Sequence, residues 1–317
     1  MKTAVDAEQI FAAADRIRPL VHRTPVLTSG SFNARTGLPS FFKCENLQRG
    51  GAFKIRGASN FLYSMTPEEL RRGVVAYSSG NHAQAVAIAA RALGAAATIV
   101  MPSDAPRAKL EATRGYGASV VTYDRLTENR ERIGGRIAEQ TGATLVPPFD
   151  HPWIIAGQGT AALELLQDAP DFDALVVPIG GGGLISGCAI VLRHLAPEVR
   201  IFGVEPELAN DTWRSVAAGE RVAIPPPETI ADGLRAPQPG EITFPIIREL
   251  VDQVLLVSEE EIRETVRFLL TRMKILVEPS GAVAAAAVLF GKLPAGIGSV
   301  GIVLSGGNVD FEQLAAL

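Results

Sequence analysis

One unit recurs along this chain: a short run of Val, Ile, Leu or Ala, a turn rich in Gly, Ser or Pro, then an alanine-rich stretch. It occurs in "GVVAYSSGNHAQAVAIAARALG", "ATIVMPSDAPRAKLEATRGYG", "ASVVTYDRLTENRERIGGRIAEQTG", "DALVVPIGGGGLISGCAIVLRHLAP" and "VRIFGVEPELANDTWRSVAAG". Apolar runs without polar alternation describe strands covered on both faces, and helices between them make parallel crossovers. The pattern predicts an α/β protein. At 317 residues and 47% hydrophobic content, the chain suffices for two ordinary domains or one large one. The Pro-rich pieces "LVPPFDHPW" and "VAIPPPETIADGLRAPQPGEITFP" mark boundaries or crossings. The first ends a smaller unit at 66–151, inserted between 1–65 and 152–317 of a larger domain. The alanine-rich "GAVAAAAVLFG" reads as close helix packing.

Charge narrows the function classes. A net charge of −4 with no Lys/Arg cluster leaves nothing to neutralise a phosphate backbone, so nucleic acid is not expected as a partner. The opening "MKTAVDAEQIFAAADRIRPL" reads as an amphipathic helix with acidic residues, not a signal peptide, and no later segment approaches a charge-free membrane span. Cys44 and Cys188 form neither a disulfide framework nor a metal spacing. Two buried thiols in a reducing, cytoplasmic setting account for them.

After the strand "ALVVPI" comes "GGGGLISG", residues 180–187, and then helix. Four glycines let several backbone N–H groups converge at a helix N-terminus whose dipole favours an anion. Close helix-to-sheet approach is the other use of such a turn, but the pattern favours phosphate. Neither G-x-x-x-x-G-K-[ST] nor G-x-G-x-x-G followed by an acidic residue is present, which turns attention to a phosphate-bearing cofactor that is not a nucleotide. Lys54, set among small and apolar residues in "NLQRGGAFKIRGASN", is the second pointer. Taken alone it reads as an exposed loop lysine. In a pocket of low polarity, however, a lysine becomes a neutral amine able to form a Schiff base, and pyridoxal phosphate supplies both carbonyl and phosphate. Polar motifs accompany it where apolar runs meet turns, the strand C-terminal edge at which open α/β sheets bind ligands: "SSGNHAQ" at 78–84, "VEPSGA" at 277–282 and "LSGGNVD" at 304–310.

These motifs, in this order and across essentially the whole chain, resemble the fold type II pyridoxal-phosphate enzymes, and within them the serine/threonine dehydratase and serine racemase family. "GAFKIRGA" is similar to that family's cofactor-lysine motif, "SSGNHAQA" to its substrate and cofactor loop, "GGGGL" to its phosphate cup and "SGGN" to its pyridine-nitrogen motif. The resemblance implies a tryptophan synthase β-like fold of two open twisted sheets flanked by helices, assembled as a homodimer. By match, Lys54 would hold the cofactor and act as the base, and Phe53 would pack beside the phosphate. Asn81 would bond the cofactor's 3′ hydroxyl, and Gly180, Gly181, Gly182, Gly183 and Leu184 would hold its phosphate. Ser305 would face the pyridine nitrogen, where a neutral hydroxyl does not enforce a protonated ring. Ser78, Ser79, Asn81 and His82 would receive the substrate, with backbone contacts as the other reading of His82.

The implied reaction is β-elimination of a β-hydroxy amino acid (L-threonine, L-serine or threo-3-hydroxyaspartate) to a 2-oxo acid and ammonia. Two alternatives stand: a serine or aspartate racemase with side dehydratase activity, and a non-catalytic phosphate-binding α/β protein. Ser79 matches the second acid/base of serine racemases, whereas Phe149 in "PPFDHP" stands where racemases tend to place a polar group. "VEPELAND" carries Glu205 and Asp211, by themselves a solvated acidic turn. The resemblance makes Glu205, the Ala209 carbonyl and Asp211 ligands of Mg²⁺, or of Mn²⁺ or Ca²⁺.

Overall fold

The structure, a computed structural model, describes residues 4–317 other than 79, 106 and 125. Ten strands are found among the described residues: β1 (Val26–Leu27), β2 (Ser40–Cys44), β3 (Val74–Tyr77), β4 (Ala97–Pro102), β5 (Ser119–Tyr123), β6 (Thr144–Leu145), β7 (Ala174–Pro178), β8 (Arg200–Pro206), β9 (Gln253–Val257) and β10 (Val300–Leu304). They form two sheets. The larger runs β1-β2-β10-β7-β8-β9, with β1 antiparallel to β2 and every other pair parallel; the smaller runs β5-β4-β3-β6, all parallel. The chain is an α/β protein with helices flanking both sheets.

The strand sequences explain their places. β7 (ALVVP) and β10 (VGIVL) are buried at every residue, as central parallel strands covered on both faces must be, whereas β5 (SVVTY) at a sheet edge is largely open to solvent. The alanine-rich segment forms helix Pro279–Leu289, buried at every residue, in one apolar cluster with β7, β8, β9 and β10. Small side chains let it lie close to the sheet. Helices Pro152–Asp168 and Gly183–Leu195 touch at backbone level: a Cβ on Gly187 would lie 2.4 Å from the Ile155 carbonyl oxygen. Helix starts are capped as their sequences dictate, Asp6 and Ser258 both forming reciprocal boxes with the Gln and Glu three residues on.

The smaller sheet lies within residues 74–145, and its core also takes in Ile55, Phe61 and Leu62 from helix Lys54–Tyr63 and Ile154 from helix Pro152–Asp168. One expectation needs correcting. "VEPSGA" follows no strand: residues 274–278 pair with neither sheet and lead straight into helix Pro279–Leu289. The turn at Leu269–Met273 and Lys274 in the left-handed region bend the chain there, so the apolar "KILV" serves as a connector. Among the described residues no helix is long and apolar enough to cross a membrane.

Candidate active site

Lys54 opens helix Lys54–Tyr63, and the residues before it are tied to the end of β10. The Phe53 N–H donates to the Ser305 carbonyl at 3.0 Å, and Ala52 pairs with Gly306. This zipper places "AFK" beside "SGG", residues about 250 apart in sequence. The Lys54 amine is half-buried, 5.2 Å from the Phe53 ring centroid, and donates to the Pro148 carbonyl at 2.8 Å. Burial lowers its pKa to about 8, so about a tenth is neutral amine at pH 7, far more than an ordinary lysine offers.

Two residues on, Arg56 is fully buried and reaches the opposite way. It pairs with Glu45 through Nε at 2.7 Å and Nη2 at 2.8 Å, and with Glu164 at 2.8 and 2.7 Å. Lys43, also fully buried, adds a 2.6 Å contact to Glu164 and donates to the Thr24 carbonyl. Burial alone would raise the Glu45 carboxyl, but the Arg56 charge and hydrogen bonds hold it below the usual range. Two acids and two bases thus balance inside the protein, pinning the first turn of the Lys54 helix to β2 and to helix Pro152–Asp168.

The glycine run follows β7. Gly182, with φ of +92°, caps helix Gly183–Leu195, whose first-turn N–H groups have no acceptor within the helix. Leu184 is buried just inside it. Two neighbours fix the loop's shape. The Thr243 hydroxyl donates to the Gly181 carbonyl at 2.7 Å, and the Phe149 ring covers Gly181 so closely that a Cβ there would meet it at 2.3 Å. Gly180 faces Gly233 and Leu234 of the Pro-rich crossing. Asp150, next to Phe149, accepts from the N–H groups of Glu241, Ile242 and Thr243 at 2.8, 2.9 and 3.2 Å. The short segment 148–150 therefore holds the lysine, the glycine loop and the start of helix Thr243–Leu250 together.

Asn81 and His82 begin helix Asn81–Ala92, directly after β3 and Ser78. The Asn81 amide donates to Glu278 at 2.7 Å and accepts from Asn308 at 2.9 Å. His82 is buried with Nε2 3.1 Å from the Val146 carbonyl; burial, with the Lys54 charge beside it, pushes the imidazole down to about 3, so it is neutral. The Ser78 hydroxyl accepts from the Gly80 N–H at 3.2 Å. Ser79 lies outside the described residues. Ser305 is buried, its hydroxyl 3.5 Å from the Ser280 carbonyl, and Ser280 in turn accepts from the Gly233 N–H at 2.9 Å. The structure thus gathers Phe53, Lys54, Asn81, His82, the glycine loop and Ser305 around one cleft between the two sheets. Asp150, Thr243, Glu278 and Asn308, their supports, were not expected from the sequence, although all four stand in the stretches quoted above.

Glu205, Ala209 and Asp211 sit apart from the lysine, where β8 ends and helix Asp211–Ala218 begins. All three are buried. Glu205 accepts from the N–H groups of Thr212 and Trp213 at 3.0 and 2.7 Å, while neither Asp211 carboxylate oxygen has a hydrogen-bond partner. Burial, and for Glu205 also the neighbouring Asp211 charge, raises both carboxyls. Such a turn is not solvated, and its chemistry suits a hard cation.

The chain is similar to known proteins over nearly its whole length. L-threo-3-hydroxyaspartate ammonia-lyase of Pseudomonas sp is 52% identical over 308 residues, 97% of each chain. Serine racemase of Schizosaccharomyces pombe is 47% identical over 97% of this chain and 95% of its own. The structure of maize serine racemase superimposes with a TM-score of 0.95 at 45% identity, covering 99% of this chain and 96% of that one. The model of the family described as pyridoxal-phosphate dependent enzyme matches residues 17–306, and to that family, with its fold type II architecture, the chain belongs.

Proposed function

We propose that the protein is an ammonia-lyase that removes water from a β-hydroxy amino acid and gives a 2-oxo acid and ammonia. The observation that carries this reading is the Lys54 amine, half-buried in the cleft with its pKa lowered to about 8. The residues present fit pyridoxal phosphate. The glycine loop offers first-turn N–H groups to a phosphate, and side chains at Gly181 or Gly182 would collide with Phe149 or Thr243. When bound, the cofactor supplies a carbonyl for amines and an electron sink conjugated with the substrate Cα. Lys54, as a neutral amine, takes the Cα proton. The N-terminus of helix Asn81–Ala92, with Ser78, faces the substrate carboxylate. The β-hydroxyl leaves with a proton as water, and hydrolysis of the released enamine returns that water and frees ammonia. His82, buried and neutral, lends no charge. Ser305 offers the pyridine nitrogen a neutral group, which suits rapid elimination. The smaller unit, 66–151, closes over the substrate and excludes water from the larger one.

The 52% identity to a hydroxyaspartate ammonia-lyase supports threo-3-hydroxyaspartate as a substrate beside L-serine and L-threonine. A panel of β-hydroxy amino acids scored for 2-oxo acid and ammonia ranks them; no release from any member ends the proposal. A second reading, racemization, is favoured by the likeness to serine racemases. It enters as a minor activity depending on Ser79, and chiral chromatography of L-serine reactions with Ser79→Ala tests it. A divalent cation, Mg²⁺ or else Mn²⁺ or Ca²⁺, belongs with the Glu205, Ala209 and Asp211 turn, supported by the buried, unpartnered Asp211 carboxylate. It would order the turn next to the glycine loop without touching the reacting carbon. A cytoplasmic homodimer completes the reading, with the two buried free thiols in keeping with a reducing compartment.

A further inference from the structure

"VEPSGA" has no role in the chemistry above, yet its residues hold the parts of the cleft in place. Glu278 is buried immediately before helix Pro279–Leu289 and takes the Asn81 amide at 2.7 Å; Ser280 takes the Gly233 N–H and receives the Ser305 hydroxyl. The hydrogen bonds around Asn81 can be oriented from end to end. The Asn308 amide nitrogen donates both to the Gly50 carbonyl at 2.7 Å and to Asn81 Oδ1 at 2.9 Å, which uses its two hydrogens. Asn81 therefore turns its oxygen to Asn308 and its nitrogen to Glu278, and Glu278 must present an acceptor. One Asn81 N–H then remains for the ring hydroxyl of the cofactor.

We propose that Glu278 is a positioning residue that acts through Asn81: by fixing which end of the amide faces the cleft, it sets the hydrogen bond given to the cofactor's ring oxygen. The Glu278 oxygen accepts from Asn81 whether or not the carboxyl carries a proton, so the proposal does not depend on its charge. Burial, with the Asp232 charge nearby, does push this carboxyl up to about 8. Space is tight: a Cβ on Gly306 would lie 2.3 Å from the Glu278 oxygen that Asn81 meets, so that oxygen has little room to move. The contact also spans the cleft, since Asn81 follows β3 of the small sheet whereas Glu278 and Asn308 belong with the large one.

The inference rests on the assignment of Asn81 to the cofactor's ring hydroxyl, and a double-mutant cycle separates the two. Apoprotein carrying Glu278→Ala, Asn81→Ala or both is titrated with pyridoxal phosphate. The Kd and the ratio of the visible to the near-ultraviolet band are read, because a donor at the ring oxygen favours the visible form. Each single variant is expected to lower the band ratio and weaken binding by about tenfold, as loss of a buried hydrogen-bond partner does. The double variant is expected to match Asn81→Ala alone, because without the amide Glu278 has nothing to orient. If Asn81→Ala leaves both readouts unchanged, the assignment of Asn81 fails and this proposal with it. If Asn81→Ala alters them but the Glu278 effect is absent, or adds in full to that of Asn81, Glu278 does not act through Asn81. Should Glu278→Ala not fold, Glu278→Met, which fills similar space and offers Asn81 no oxygen, runs the same cycle with the same expected outcomes.

Discussion

Gly181→Ala isolates what the Phe149 ring does to the phosphate loop. Gly181 is not among the glycines in the left-handed region, so alanine meets no backbone penalty and the whole effect is steric. The added Cβ would lie 2.3 Å from three ring atoms of Phe149, against 3.4 Å or more for ordinary contact, so ring or loop must move by about 1 Å. The ring has little freedom, because its own chain is held on either side by the Pro148 contact to Lys54 and the Asp150 contacts to helix Thr243–Leu250. Overpacking of this kind costs about 1–3 kcal/mol. If the loop gives way, that strain appears as cofactor binding weakened by about 5- to 150-fold; if the ring gives way, it appears as lost thermal stability. The assay is a cofactor titration of apoprotein together with its unfolding midpoint. Phe149→Ala in the Gly181→Ala background should recover most of whichever quantity was lost. A variant with parental affinity and parental stability, or a double variant that recovers neither, would refute the packing argument.

Other outcomes follow from the same geometry. Lys54→Ala should abolish elimination with folding retained, and full turnover without added amine would assign the base elsewhere. In parent apoprotein, the pKa of about 8 lies below the ordinary 10.5, so from pH 8 to 10.5 the unfolded chain holds more protons and stability rises with pH. The rate of colour formation on adding pyridoxal phosphate should rise with a midpoint near pH 8, whereas a midpoint near 10.5 would contradict the burial of Lys54. Arg56→Ala should cost about 3–5 kcal/mol by leaving Glu45 without its buried ion-pair partner and Glu164 with Lys43 alone, read as a shifted denaturation midpoint; an unshifted midpoint would mean the cluster relaxes freely. Chelator should lower activity and thermal stability together, with Mg²⁺ restoring both. Glu205→Ala and Asp211→Ala enzymes as active and stable as the parent, and equally indifferent to chelator, would dismiss the cation.

The sequence shows most clearly what is local. The alternation of buried strands and alanine-rich helices, the glycine turn after β7 and the starts of helices Lys54–Tyr63 and Asn81–Ala92 are written in contiguous residues, and the motif order carried the family. Partnerships made across long separations were not legible. Glu45, Arg56 and Glu164 read as three unrelated charges until the fold brings them together, since no spacing rule links Arg56 to a glutamate 11 positions earlier in a different element or to one 108 positions later. Asp150 looked like part of a Pro-rich boundary, because a carboxylate capping a helix about 90 residues later leaves no local signature. "VEPSGA" was misplaced at a strand end for a related reason: an apolar run beside a turn reads the same whether it pairs in a sheet or crosses beneath one.

The placing of β10 between β2 and β7 bears on how the chain is made. In synthesis all the other strands of the large sheet emerge before the one that joins them, so the sheet stays split along its middle until β10 is available. The seam presents the unpaired edges of β2 and of the wholly apolar β7, the kind of surface on which nascent chains associate wrongly. The same strand delivers Ser305 and Asn308, so the protein cannot assemble a cofactor site before it has closed its sheet. Closing that seam and acquiring chemistry are therefore coupled, since both wait on the same late strand.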